Sequence, residues 1–299
     1  MKIVALFVAL ILERLATHLF HWRELRWLDP LIDFGLRLSH RWKQLPFLWL
    51  IVTLTIAILP VALFRLTLQG TLLGLPYLAL SVFVLFLCLG PQDIGEEVDR
   101  WRRAIDEGDR EAERMNARAL LERGFNDVVG VRGDVPGAVF VQANNRMFAV
   151  IFWFVLLGPV GAWLYRVTDL IRRRALFSAQ RAAPGVQIAP DCGARAYALQ
   201  AVLAWVPARL SALGLILAGH YDAGLDAWRA LRPTTTLGRD NEQLLTRVGL
   251  AALQLSQDQE ESASAFATRR ARAAKNLVLR TLGFWLVGIA ILTLVGVAI

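Results

Sequence analysis

The chain has little of what a metal centre or a disulfide framework requires. It carries two cysteines, Cys88 and Cys192, far apart, and four histidines, His18, His21, His40 and His220. No His/Cys pair stands at zinc-ligand spacing and no disulfide framework is implied, so no metal is expected. A Walker-type loop, a Gly-rich dinucleotide fingerprint, HExxH, GxSxG and kinase signatures are all absent. That leaves no self-evident active site, no assignable catalytic residue and no expected cofactor. Acids are outnumbered, 25 Asp and Glu against 33 Lys and Arg, for a net charge of +8. No groove-reading or RNA-binding signature accompanies that excess, which excludes nucleic acid as the expected partner.

Apolar residues are abundant: 56% of 299 are hydrophobic, and the mean hydropathy is +0.46. Such values exceed those of a soluble domain of this size, and a spanning helix takes about 20 apolar residues. The chain reads as an all-α polytopic membrane protein, a helical bundle with Gly/Pro-broken membrane segments and amphipathic soluble or interfacial helices. The basic residues lie beside the apolar runs: Arg23, Arg26, Arg37, Arg41 and Lys43 before one, Arg172, Arg173 and Arg174 after another, and Arg269, Arg270, Arg272 and Lys275 before the last. This pattern marks cytoplasmic flanks and makes membrane lipid an expected partner.

Six segments follow. Residues 1–44 are N-terminal membrane or interfacial helices. The first apolar run, about a dozen residues, ends at Glu13 and Arg14 and has no small-residue cleavage site, so it is retained and either spans or lies in the interface. Trp22, Trp27 and Trp42 alternate with arginines in an interfacial helix; a soluble amphipathic helix packed on another domain is the alternative. Residues 45–90 form a transmembrane hairpin joined by "TLQG". Residues 91–145 are a soluble segment, two antiparallel helices broken at "DEGD" and then a loop, "GVRGDVPGAV". Residues 146–220 are Gly/Pro-broken membrane segments separated by a basic connector, "RRRALFSAQRAAPGVQIAPDCG". Residues 221–276 are soluble helices, and 277–299 are a C-terminal transmembrane helix.

One segment conflicts with the charge rule. If 148–165 crosses once from the cytoplasm, Arg172–Arg174 are stranded outside. Either the segment is re-entrant and turns at "LGPVG", or it crosses and the chain returns through 198–219. Gly158, Pro159 and Gly161 permit a tight turn, and irregular backbone at that depth must be satisfied by protein or a wet cavity. Glu13, Arg14, Asn144, Asn145, Arg146, Arg166, Asp169, Arg209 and His220 are the polar residues at or beside membrane segments. Each is either a member of a buried polar cluster or an interfacial cap. Arg209 sits beside Pro207 near the middle of an apolar stretch, so it is either paired within protein or reaches water from an interfacial helix.

The blocks "LILERLATHLFHWR", "NNRMFAVIFWFVLLGPVGAWLYRV" and "LAWVPARLSALGLILAGH" resemble those of the AmpE family of inner-membrane proteins, and the similarity runs in order along nearly the whole chain. AmpE is in turn similar to the cobalamin-biosynthesis membrane enzymes CobD/CbiB. Phe152, Trp153, Gly158, Pro159, Gly161, Ala162, Tyr165 and Arg166 match the middle block of those enzymes, and Pro207, Ala208, Arg209 and Leu210 match a later one. Where that family has an acidic "ES-x-A-D" stretch, this chain has "FVQANNRMF", so the acids are replaced.

The resemblance implies a shared fold and a multi-pass regulator or sensor in the bacterial cytoplasmic (inner) membrane, acting in β-lactamase induction and the cell-wall (peptidoglycan) stress response. The other implied activity is that of a CobD/CbiB-like enzyme, an adenosylcobinamide-phosphate synthase-like ligase. The ligand-binding set expected for the regulator is Glu13, Arg14, Asn145, Gly158, Pro159, Arg166, Arg209 and His220. The arginines suit an anionic, cell-wall-related small molecule, and the soluble helices suit a protein partner.

Overall fold

A computed structural model of the chain describes residues 2–15, 25–41, 47–68, 75–89, 94–122, 131–180, 192–234 and 236–295. All regular structure among these residues is helical. The helices are α1 (Lys2–Leu15), α2 (Asp29–Arg41), α3 (Leu48–Leu68), α4 (Leu75–Cys88), α5 (Ile94–Asp106), α6 (Arg110–Leu121) and α7 (Val131–Ala143). A π-helical turn, Asn144–Phe148, leads into α8 (Ala149–Leu157), α9 (Pro159–Gln180), α10 (Cys192–Ala218), α11 (Tyr221–Arg229), α12 (Leu237–Leu253) and α13 (Ala263–Leu294). The protein is therefore an all-α polytopic membrane protein. Among the described residues, four helical stretches are long and apolar enough to cross a membrane: Leu48–Thr67, Asp134–Leu157, Cys192–Ala218 and Ala263–Leu294. Only 22% of the apolar window is buried in the first and last, against 67% in the second and 56% in the third. The first and last thus leave most of their apolar surface uncovered by the chain, and the middle two carry more of the internal packing.

The chain divides into two compact units. The first comprises Met1–Pro91, Ala149–Leu203 and Ile289–Ile299; the second comprises Gln92–Phe148 and Ala204–Gly288. In the first unit α9 packs against α3, α4 and α8, α1 packs against α4, and α2 packs against α3. Gly35 of α2 allows that last approach, because a Cβ there would collide with Thr53 Oγ1. Trp27 stacks on Trp163 with ring centroids 6.0 Å apart, and the Trp163 indole donates to Ala57 O at 2.9 Å. Trp22 and Trp42 lie outside the described residues, as do the side chains of Glu13 and Arg14.

The second unit is built around a continuous apolar core that includes Val98, Trp101, Leu120, Val139, Phe140, Phe148, Leu215, Val248 and Leu277. Helices α5 and α6 are the antiparallel pair expected from "DEGD". Gly108 takes φ 73 at the turn, and the Asp109 carboxylate caps α6 by accepting from the backbone N–H of Glu111 and Ala112 at 3.0 Å.

Two expectations are corrected. "GVRGDVPGAV" is not a loop: from Val131 it is helix α7, with Pro136 inside it. Val135, Val139 and Phe140 of that helix are buried, and a Cβ on Gly137 would meet Thr246 Cγ2 at 2.6 Å. Its glycine is there for close helix packing on α12, not for a turn. The basic "connector" is also partly helical, since α9 continues to Gln180.

Candidate functional site

In the first unit the site begins at Gly158. Helix α8 ends there: Gly158 N–H donates to Phe154 O at 2.7 Å, and Gly158 adopts φ 73, a conformation that disfavours any residue with a Cβ. Pro159 is the first residue of α9, where its missing N–H leaves no broken bond. The chain then folds back on itself. A Cβ on Gly161 would collide with the carbonyl oxygen of Trp153 and would lie 2.6 Å from Leu157 Cβ. That contact between residues eight apart is impossible in a continuous helix, and it identifies a helical hairpin. Arg65 Nη1 donates to Leu157 O at 3.2 Å, satisfying a carbonyl at the end of α8. The Trp153 indole donates to Leu203 O at 3.0 Å.

The returning helix α9 buries a cluster of charges. Asp169 is 0% exposed. Arg172 reaches its Oδ1 with Nη2 at 2.8 Å and Nε at 3.2 Å, Arg173 Nε lies 2.9 Å from Oδ2, and Arg166 Nη1 lies 3.5 Å from Oδ2. These residues stand at i−3, i+3 and i+4 around Asp169, so one helix face supplies the whole arrangement. Beside it the Gln200 amide donates to Tyr165 Oη at 3.0 Å. One residue on, Arg174 reaches across to α2, with Nε at 2.9 Å and Nη2 at 2.8 Å from the two oxygens of Asp33 and Nη1 3.3 Å from Asp29. The charge rule treats Arg172–Arg174 as flanking topology residues. The structure makes two of them partners of a buried acid and the third a bidentate tie between helices. The spacing in "YRVTDLIRRR" was the available signal.

The second unit holds a different cluster, centred on the π-helical turn. Asn144, Asn145 and Arg146 are all buried. Ser211 Oγ donates to Asn144 Oδ1 at 3.1 Å, and Asn144 Nδ2 donates to Asn145 Oδ1 at 3.3 Å. Arg146 Nη1 donates to Glu97 Oε1 at 2.8 Å, and Glu122 Oε1 lies 4.0 Å from its Nη2. Glu97 Oε2 and Gln142 Oε1 are buried without a hydrogen-bond partner among the described residues. Such turns concentrate at functional sites because the extra residue re-aims side chains. Glu97, Glu122 and Ser211 carry no local sign of this role in the sequence.

Arg209 also belongs to the second unit. Its Nη1 donates to Trp205 O at 2.9 Å and to Asn241 Oδ1 at 3.1 Å, and its guanidinium lies 4.0 Å over the Trp205 ring. It lines an open groove of about 250 Å³ with Trp228, Leu231, Arg232, Pro233, Asp240, Gln243 and Leu244. His220 is exposed at the start of α11 with no side-chain capping bond; its backbone N–H donates to Ala252 O at 2.9 Å. Of the residues singled out from sequence, Gly158, Pro159, Arg166 and Asp169 share one hairpin. Asn144, Asn145 and Arg146 share the π-helical turn. Arg209 stands in the groove. Among the described residues no group of three or more His, Cys, Asp or Glu is arranged to hold a metal ion.

Comparison with known proteins accords with this architecture. The family model described as regulatory signalling modulator protein AmpE matches residues 1–299. The cobalamin biosynthesis protein CobD of Chromobacterium violaceum is 29% identical over 155 residues, 51% of this chain and 47% of that protein. The CobD of Stutzerimonas stutzeri is 28% identical over 185 residues, 60% of this chain and 56% of that protein. The chain thus spans about half the length of the curated relatives it matches. No solved structure matches it. With a family model that takes in the chain throughout, the protein belongs to the AmpE family.

Proposed function

We propose that this protein is a multi-pass regulator of the bacterial inner membrane, that it modulates β-lactamase induction and the response to cell-wall stress, and that it acts by binding an anionic ligand or a protein partner. The observation that carries the reading is the Gly158 hairpin, whose returning helix buries Arg166, Asp169 and Arg172 together, with half-buried Arg173 against the same carboxylate. Ionisable residues among membrane helices are costly and are kept where they bind, relay or switch. A plain anchor needs neither the turn nor the charges. The hairpin also supports an orientation. A chain that reverses at Gly158 brings Arg172–Arg174 back to the side from which α8 entered, in keeping with the positive-inside rule. A cysteine at position 178, in a Cys88→Ser, Cys192→Ser background, will then be protected in intact cells and labelled after lysis.

The regulatory reading is tested by inducible β-lactamase in cells carrying Arg166→Ala or Arg209→Ala at wild-type membrane levels. Loss of induction is expected. Normal induction by both variants refutes ligand-dependent regulation, and normal induction in cells lacking the protein refutes the role altogether.

The partial identity to CobD favours a second reading, a membrane enzyme of cobalamin biosynthesis. Against it, the π-helical turn presents Asn144 and Asn145 where that family resemblance expects acids. Expression in a cell lacking CobD decides: no restored cobalamin synthesis is expected, and restoration would establish the enzyme.

A further inference from the structure

We propose that the groove formed by α10, α11 and α12 in the second unit is a binding site for a phosphate group, with Arg209 and Arg232 as its cations. This deepens the regulatory reading, on which it rests for its meaning in the cell but not for the binding itself.

Helix α10 carries an exposed apolar stripe, Trp205, Val206, Leu210, Leu213 and Leu217, and Arg209 emerges within that stripe. A guanidinium among lipid-facing residues is expensive unless it is held and used. It is held: both hydrogen bonds to protein leave from Nη1, and Trp205 supports the flat face of the group. Nε and Nη2 have no protein acceptor among the described residues and remain for a ligand in the groove that Arg209 lines. A planar fork of donors fixed in this way matches a phosphate better than a mobile ammonium would.

The rest of the groove is complementary. Arg232 lines it, is exposed, and has no ion pair among the described residues. The Gln243 amide supplies a further donor. The acid of the groove, Asp240, interacts electrostatically with Arg209, and its Oδ1 accepts from Thr234 N–H at 2.6 Å, which ties Thr234 to α12. Two guanidiniums therefore line the groove against one carboxylate, which leaves an excess of positive charge for an anion. Trp228, Leu231, Pro233 and Leu244 give the groove an apolar part of its lining that can cover the carbon body attached to the phosphate. A volume of about 250 Å³ lies below the roughly 300–1,000 Å³ of drug-sized sites. It suits a phosphate with a small alcohol or sugar, not a folded or extended peptide.

Two sources share this chemistry: the headgroup of an anionic phospholipid, and a free phosphate ester. The test uses the full-length protein, delipidated in a non-ionic detergent. Glycerol 3-phosphate is titrated by calorimetry in one arm, and phosphatidylglycerol is titrated by native mass spectrometry in the other, for wild type, Arg232→Gln and Arg209→Gln. Each variant is expected to weaken binding roughly tenfold, the loss of one charge-assisted pair. Arginine-dependent binding of the lipid alone assigns the site to a headgroup; arginine-dependent binding of glycerol 3-phosphate assigns it to a soluble ester. Absence of binding in both arms, or equal binding by wild type and Arg232→Gln, overturns the proposal. Arg232 is exposed and without an ion pair among the described residues, so its variant is expected to retain the fold. If Arg232→Gln loses binding while β-lactamase induction is unchanged, the site stands and its regulatory role falls. If nothing binds the groove while Arg166→Ala still abolishes induction, the regulatory reading stands and the site falls.

Discussion

The two units solve the problem of charge among apolar helices in opposite ways. In the first, a single carboxylate, Asp169, is met by three arginines of its own helix. In the second, a single arginine, Arg146, faces two acids from other parts of the chain, Glu97 at 2.8 Å and Glu122 at 4.0 Å. The first arrangement is local and stiffens one face of α9, the return arm of the Gly158 hairpin. The second is long-range and ties the π-helical turn to α5. The contrast teaches that a local cluster neutralises charge without joining separate helices, whereas a long-range buried pair does both.

The largest effects should come from leaving buried charges without their partners. Asp169→Asn removes the carboxylate shared by three guanidiniums, and a cost of about 3–5 kcal/mol is expected, since breaking a buried pair leaves uncompensated charge. Thermal unfolding in detergent should show the loss. Arg146→Met should cost a similar amount by stranding Glu97. There the comparison sharpens: Glu97→Gln combined with Arg146→Met should recover most of the loss, because removing both charges also removes the desolvation penalty. A double variant no better than Arg146→Met would mean that the pair does not act as a unit.

Glycine substitutions in the hairpin come next. Gly161→Ala must displace the Trp153 carbonyl and Leu157, an overpacking of about 1–3 kcal/mol. Gly158→Ala forces φ 73 on a residue with a Cβ and brings that carbon to 3.0 Å from Tyr77 Oη; about 1–2 kcal/mol is expected from the left-handed backbone. Gly283→Ala, inside α13 where a Cβ would meet nothing within 4 Å, is the control of opposite sign and should stabilise by about 0.5–1 kcal/mol in the same melts.

The smallest effect concerns Asp99, half-exposed on α5, whose carboxylate lies 2.8 Å from Lys275 Nζ. Partial burial pushes its pKa up, but the hydrogen bond and charge of Lys275, with Arg102, outweigh this and hold it below the usual range. A carboxylate depressed in the folded state contributes stability above its unfolded pKa, near about 4, and that contribution disappears as pH falls through the folded value. Asp99→Asn should therefore change stability by about 1 kcal/mol or less at neutral pH. The difference from wild type should vanish in strongly acidic solution, as pH-dependent melts would record.

These outcomes bear on how much the amino-acid order reveals. The "DEGD" break and the turn at "LGPVG" are legible because each depends on residues within one or two turns: a glycine that accepts positive φ and a proline that ends one helix and can start the next. The Asp169 cluster is legible in principle for the same reason, since i−3, i+3 and i+4 positions share a helix face, although a reading that treats Arg172–Arg174 only as topology charges passes over it. Gly137 misleads because a glycine that admits a neighbouring helix and a glycine that makes a turn have the same letter. Only the presence of Thr246 against it distinguishes the two.

By itself, the sequence determined that this chain would enter a membrane as helices, where it could reverse, and which family it resembles, because hydropathy, backbone freedom and short motifs are properties of contiguous residues. Only the tertiary structure decided that Arg146 meets Glu97 from 49 residues away, that Ser211 donates to Asn144, that Arg174 grips Asp33, and that Arg209 opens onto a groove with Arg232. Such contacts are fixed by which helix faces pack together. That choice is made by the whole set of apolar surfaces at once, and no local stretch records it.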